Sequence, residues 1–175
     1  QIPEANTSTQ ESKWEKSRFM GVEVTGKTLG LVGCGNIGSI VADRALGLKM
    51  KVVAFDPFLG EDRAKEIGVE KVELDELLAR ADFITLHTPM TDQTRGIIDA
   101  AAIAKTKPGV RIINCARGGL VVEADLKDAL ESGHVAGAAL DVFETEPAKD
   151  NPLFGLPNLV CTPHLGASTD EAQVN

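Results

Sequence analysis

Long apolar runs are missing from this 175-residue sequence. No stretch is long enough to span a bilayer, so no membrane partner is expected, and the start does not read as a secretory leader. Cations are outnumbered as well: 18 Lys and Arg stand against 26 Asp and Glu, a formal charge of -8. A duplex-binding face needs clustered Lys and Arg, so no nucleic-acid partner is expected either. Cysteine is scarce. Cys34, Cys115 and Cys161 form neither a disulfide framework nor the CxxC spacing of a metal site, and no metal is expected. An odd number of thiols suits a reducing, cytoplasmic setting. Internal repeats and low-complexity segments are absent. The first residue is Gln1 rather than Met, which reads as a piece of a longer chain. What is present is ordinary for a globular domain that buries its own core: 43% hydrophobic and 25% charged residues.

Short apolar runs alternate with amphipathic ones. Ser8 to Met20 reads as a short amphipathic helix carrying Trp14, Phe19 and Met20, and Gly21 and Gly26 bracket a turn. Strands are expected at Thr28–Val32, Lys51–Phe55, near Val69–Val72, at Phe83–Leu86, Val110–Asn114, Val135–Leu140 and Asn158–Cys161. Helices are expected from about Ile37 to Leu48, with Ile37, Val41, Ala45 and Leu48 on one apolar face, and over Glu61–Ile67, Asp75–Arg80 and Glu123–Ser132. The last of these is stopped by Gly133. Ser168-Thr169-Asp170-Glu171 looks like a capped helix start. Such alternation predicts an α/β fold, a doubly wound parallel sheet of about seven strands covered on both faces, in the manner of Rossmann-like domains.

The first strand runs into Gly33-Cys34-Gly35-Asn36-Ile37-Gly38 and then into a helix. GxGxxG alone is weak, but this context sharpens it toward a dinucleotide. Gly33 permits the tight turn, Gly35 lets backbone approach a pyrophosphate, and Gly38 lets the helix pack on the strand. Free N–H groups around Asn36 and Ile37, with the helix dipole, favour the phosphate charge. Asp56 ends the second strand, where a carboxylate can accept from both ribose hydroxyls and would repel a 2′-phosphate. NAD is therefore expected over NADP.

Ligands of such sheets sit outside the carboxyl ends of the strands. His87-Thr88 follows the fourth strand, Cys115-Ala116-Arg117 the fifth, Asp141 the sixth and Thr162-Pro163-His164 the seventh, with Glu146 in the loop after the sixth. Reversible alcohol oxidation needs a hydride acceptor, a proton acceptor and a cation for the substrate carboxylate. A histidine suits the second, an arginine fork the third, and a carboxylate beside the histidine fixes its tautomer. Plainer readings stand beside these. His87 reads equally as a strand-end histidine bonded to backbone, Asp141 as a turn cap and Glu146 as a solvated loop acid. His134 reads as a surface or cap residue, and Cys115 as a small buried residue.

Several of these segments together are specific. Gly26-Lys27-Thr28-Leu29-Gly30, Leu86-His87-Thr88-Pro89, Asn114-Cys115-Ala116-Arg117-Gly118-Gly119, Ala139-Leu140-Asp141-Val142-Phe143 and Pro163-His164-Leu165-Gly166-Ala167-Ser168-Thr169 resemble the D-isomer-specific 2-hydroxyacid dehydrogenases. The resemblance runs from about Trp14 to Glu171. Its last segment, the Asn114–Gly119 run and Trp14-Glu15-Lys16-Ser17-Arg18-Phe19-Met20-Gly21 are most similar to the members that oxidise D-3-phosphoglycerate to 3-phosphohydroxypyruvate at the opening of serine biosynthesis.

The resemblance implies Arg117 as the substrate-orienting arginine, His164 as acid/base and Glu146 as its partner. It implies contacts to NAD from Gly33, Gly35, Asn36, Ile37, Gly38, Asp56, His87, Thr88, Cys115, Ala116, Arg117, Asp141, His164, Leu165, Gly166 and Ala167, with Asp141 toward the nicotinamide amide. The implied substrate is a small phosphorylated 2-hydroxy acid, and the implied assembly a homodimer through this domain, for which Trp14 is a candidate anchor. One departure is Val122, where relatives carry an Asp that caps the next helix; Glu123 offsets part of that loss through the helix dipole. Residues 1–20 then read as a leading helix from an interdomain connection, 21–167 as the NAD-binding domain, and 168–175 as the start of a helix returning to an absent substrate domain. Such a piece is expected to bind NAD(H) with little turnover. A sibling dehydrogenase of the glyoxylate or hydroxypyruvate type and an NAD-sensing, corepressor-like module are the alternatives.

Overall fold

The computed structural model describes residues 1–174; Asn175, the end of the expected terminal helix start, lies outside the described residues. Seven strands form one sheet: β1 (Thr28–Val32), β2 (Lys51–Phe55), β3 (Glu70–Lys71), β4 (Phe83–Leu86), β5 (Val110–Asn114), β6 (Val135–Leu140) and β7 (Leu159–Cys161). Their order is β3-β2-β1-β4-β5-β6-β7, and every pairing is parallel. The order reverses between β1 and β4, which opens a crevice at their carboxyl ends.

Strand side chains alternate between two cores, as the period of two requires. Leu29, Leu31, Val52 and Ala54 pack on one side with Ala42, Ala45 and Ala64 of α2 (Asn36–Gly47) and α3 (Glu61–Ile67). Val32, Val53, Ile84, Ile112 and Leu140 pack on the other with α4 (Leu74–Arg80), α5 (Ala100–Ala104) and α6 (Glu123–Glu131). Leu31, Leu77, Ile84, Ile112 and Leu126 are wholly out of water, each contributing about 2–3 kcal/mol of burial. Among the described residues no helix is long and apolar enough to cross a membrane.

Four expectations need correction. The inward face of α2 is Gly38, Ala42 and Ala45, while Ile37 is 62% exposed and Leu48 57%. Small residues win because the helix lies so close to the glycine turn that a β-carbon on Gly38 would collide with the Gly33 carbonyl. Ser8 to Met20 is not one helix. α1 spans Ile2–Gln10, and a 3-10 turn covers Lys16–Phe19 after the chain passes through Ser12 at φ +62°. α5 was not expected at all. Finally, sheet cover is incomplete: beside β5, β6 and β7 the face that α2 and α3 cover elsewhere leaves a groove of about 560 Å³ bordered by Ile2, Met20, Ile113, Ala139 and Val160. A short α7 (Asp170–Val174) begins as expected, its Ala172 N–H bonded to Thr169 Oγ1 at 3.1 Å.

Candidate active site

The glycine turn is held from behind. Gly33 has φ +95°, a left-handed conformation favouring glycine, and a β-carbon there would meet the His87 carbonyl at 2.6 Å and the Thr88 nitrogen at 2.9 Å. The side chain of Asp56 reaches across from β2: Oδ2 accepts the Cys34 N–H at 2.8 Å and Oδ1 accepts the Phe58 N–H at 2.8 Å. Each oxygen keeps a second acceptor site for a hydroxyl. In front, space around Gly35 is open and no side chain caps α2. The first-turn N–H groups of Asn36 and Ile37 are thus left for an anion at the helix's positive end. These features fit a dinucleotide: room for the pyrophosphate against bare backbone, and a carboxylate placed for a ribose.

At the end of β5, buried Asn114 builds a turn from its own side chain. Oδ1 accepts the Ala116 N–H at 3.0 Å, and Nδ2 donates to the Arg117 carbonyl at 2.9 Å. The Arg117 side chain projects outward, exposed, with one N–H on the Ala116 carbonyl at 2.6 Å, while Glu146 pairs with His164 rather than with it. Cys115 is exposed rather than buried, because the strand has ended and the turn lifts it off the sheet. Gly118 then passes so close to the Phe143 carbonyl that any β-carbon would collide with it. The arginine's turn and the loop after β6 are packed backbone on backbone.

Asp141 organises that second loop. It is 4% exposed, and its carboxylate accepts three donors: the Thr162 hydroxyl at 2.5 Å, the Leu165 N–H at 2.7 Å and the Gly166 N–H at 2.9 Å. Burial pushes its pKa up, but these bonds outweigh burial and hold it below the ordinary carboxylate value. The same residue's carbonyl accepts the His164 N–H at 2.9 Å. His164 therefore stays at φ +57°, a left-handed backbone costing a non-glycine residue about 1 kcal/mol or more. Ala167 lies beyond, exposed, its carbonyl bonded to the Gln173 side chain at 3.0 Å.

His164 Nδ1 meets Glu146 Oε2 at 2.7 Å, and Glu146 Oε1 accepts the Phe143 N–H at 3.0 Å. The bond from His164, then the one from Phe143, hold Glu146 below the ordinary carboxylate pKa. The pair borders a cavity of about 560 Å³ with Phe143, Phe154, Cys161 and Pro163. With Nδ1 engaged, Nε2 is left to exchange a proton with a ligand.

His87 behaves differently. Its Nε2 lies 3.0 Å from the hydroxyl of buried Thr85, and burial lowers its pKa. Its carbonyl packs against the glycine turn, where a β-carbon on Gly33 would meet it. His134 ties β6 to the end of α5 through Thr106 Oγ1 and the Ile103 carbonyl, both at 3.0 Å. Sequence reasoning named Thr162 only as part of a strand end, and missed Asn114 and Glu123 as residues that hold these loops. Asn114 was visible only as a motif letter; the other two act on residues about twenty positions away.

Residues 1–166 match the family described as "D-isomer specific 2-hydroxyacid dehydrogenase, NAD binding domain". The chain is 57% identical over 174 residues to a D-3-phosphoglycerate dehydrogenase of Bacillus subtilis, covering 99% of this chain and 33% of that protein. It thus spans about a third of the length of the curated relatives it matches. Among solved structures, a glyoxylate reductase from Paecilomyes thermophila superposes with a TM-score of 0.88 at 38% identity, over 96% of this chain and 51% of its own. A D-lactate dehydrogenase from Aquifex aeolicus, complexed with NAD and lactic acid, superposes with a TM-score of 0.90 at 34% identity, over 99% and 57%.

Proposed function

The chain belongs to the D-isomer specific 2-hydroxyacid dehydrogenases, as their NAD binding domain, and from that premise we propose that it is the cofactor half of an enzyme oxidising D-3-phosphoglycerate to 3-phosphohydroxypyruvate. The observation carrying the chemistry is the 2.7 Å pairing of Glu146 with His164, on the edge of the crevice that the glycine turn opens. NAD, when bound, supplies the hydride acceptor. His164 Nε2 takes the hydroxyl proton, and the Glu146 carboxylate stabilises the imidazolium that results. Arg117 holds the substrate carboxylate with its unpaired guanidinium N–H groups. Relatives named for phosphoglycerate at 50–57% identity, against 32–38% for the structures named for lactate or glyoxylate, favour that substrate.

Residues 1–20 serve as connection, 21–167 as the cofactor domain, and 168–175 as the start of a return toward a substrate domain. Dimerisation runs through this domain, with Trp14, 86% exposed, at the contact. A reducing cytoplasm suits its three unpaired thiols.

Calorimetry on this chain tests the cofactor reading: NADH binds, NADPH binds at least roughly tenfold more weakly because Asp56 faces its 2′-phosphate, and no heat with millimolar NADH overturns it. In a full-length enzyme containing this sequence, Arg117→Ala abolishes most turnover with D-3-phosphoglycerate and spares NADH affinity. An equal fall in both would recast Arg117 as a cofactor or folding residue.

A further inference from the structure

Glu123 opens α6 yet spends its carboxylate outside its own helix. Oε1 accepts the Glu144 N–H at 2.8 Å, and Oε2 accepts the Asn151 Nδ2–H at 2.7 Å. Those two residues stand at either end of the excursion that carries Glu146. The excursion is otherwise lightly held: residues 144 to 147 are exposed, between buried Phe143 and wholly buried Leu153. Apart from the His164 bond itself, Glu123 makes the side-chain hydrogen bonds that reach this stretch from another element among the described residues.

We propose that Glu123 is a positioning residue that clamps both ends of the loop so that Glu146 stays in register with His164. Glu146 can orient and stabilise an imidazolium only from hydrogen-bond distance, and its Oε1 is referenced to Phe143, immediately before the clamped Glu144. Losing the clamp frees Glu144 first, and Glu146 follows two residues later. Asn151 passes the restraint on, because its Oδ1 accepts the Leu153 N–H at 3.0 Å. The inference rests on the acid/base reading above. The charges that act on Glu146 are His164 and Asp141; the neighbouring loop acid is Glu144. Neutralising a nearby carboxylate lowers the pKa of Glu146, so an upward shift on altering Glu123 reports movement away from His164 rather than lost charge.

The experiment is carbon-detected titration of Glu146, with amide exchange at Glu144, in this chain. Glu123→Gln offers one acceptor and turns a donor against the other N–H. It should move the Glu146 pKa upward toward the ordinary carboxylate value and speed Glu144 exchange roughly tenfold, the scale of a hydrogen bond to a charged group. Adding Asn151→Asp restores the pattern: the new amide donates to the carboxylate placed at 151, which still accepts from Leu153, and both readouts return. Asp125→Asn weakens a bond from the same helical turn to the Ala100 N–H instead and should move neither. Glu123→Asp keeps the charge but is a methylene too short for both partners, and it carries the same expectation if the Gln variant does not fold.

Unmoved Glu146 titration in Glu123→Gln overturns the proposal, as does an equal shift in Asp125→Asn or failure of Asn151→Asp to restore. The acid/base reading fails separately, if Glu146→Gln leaves turnover of a full-length enzyme intact whatever the titration shows.

Discussion

His87 and His164 sit in opposite surroundings, one against a buried hydroxyl and the other against a loop carboxylate. His87 is bonded to buried Thr85, and burial holds its pKa below 6.5. Its folded pKa lies below the unfolded one, so the unfolded chain binds the proton more readily. Stability from this group is complete above about pH 6.5 and is lost as pH falls from there toward the folded pKa. His87→Gln should remove that part of the slope. Urea unfolding at pH 7.5 and pH 5.5 checks it, and an equal loss in parent and variant contradicts it. Lowered carboxylates such as Asp141 and Glu146 act in a separate window, lost as pH falls below the ordinary carboxylate values. At this scale the sequence told which residues stand at strand ends. It did not tell that Asp141, expected at the nicotinamide, also accepts three donors from residues 162 to 166. Those bonds join positions whose nearness only the β6–β7 pairing creates.

Strands were the most legible elements, because a buried parallel strand is a short β-branched run with turn residues at both ends. Five of the seven match their expected bounds. α5 escaped because its five residues, AAAIA, are too few to show a period, although Asp99 caps it by accepting the Ala102 N–H at 2.8 Å. The inward face of α2 is not the apolar face read from the sequence, because closeness to the glycine turn selects the smallest residues. α6 shows where an expectation was half right. Val122 at its start makes no side-chain cap, and Glu123, an acid in the first turn as the dipole argument expects, is bonded to the loop as well. Val122→Asp should add the missing acceptor and stabilise the chain by about 1 kcal/mol. Packing of the Val122 methyl above Gly96 subtracts from this. Denaturant midpoints decide the matter: a lower midpoint for the variant means that packing outweighs the cap.

The molecule as a whole distributes three thiols among three places, and they report on the cleft without any turnover. Cys34 is 6% exposed beneath the glycine turn, whereas Cys115 at the end of β5 and Cys161 on the edge strand β7 are exposed. All three have raised pKa values, from burial first, then from the charges of Asp56, Asp141 and Glu123 respectively. Since the thiolate is the reacting form, all should react more slowly than a free cysteine at pH 7. Cys34 should wait for local opening of the fold, so its rate follows stability rather than accessibility. A dinucleotide lying from Asp56 across the crevice to the residues after β7 covers the end of β5 directly, whereas Cys161 lies within β7, before residues 164–167. Saturating NADH should therefore slow alkylation of Cys115 at least roughly tenfold, as expected when about nine-tenths of the sites are occupied, and leave Cys161 within twofold. Mass spectrometry of the three modified peptides reads this directly. Equal protection of Cys161 would mean that the ligand also fills the cavity that Cys161 lines with Glu146 and His164, and no protection of Cys115 would remove the end of β5 from the cofactor site.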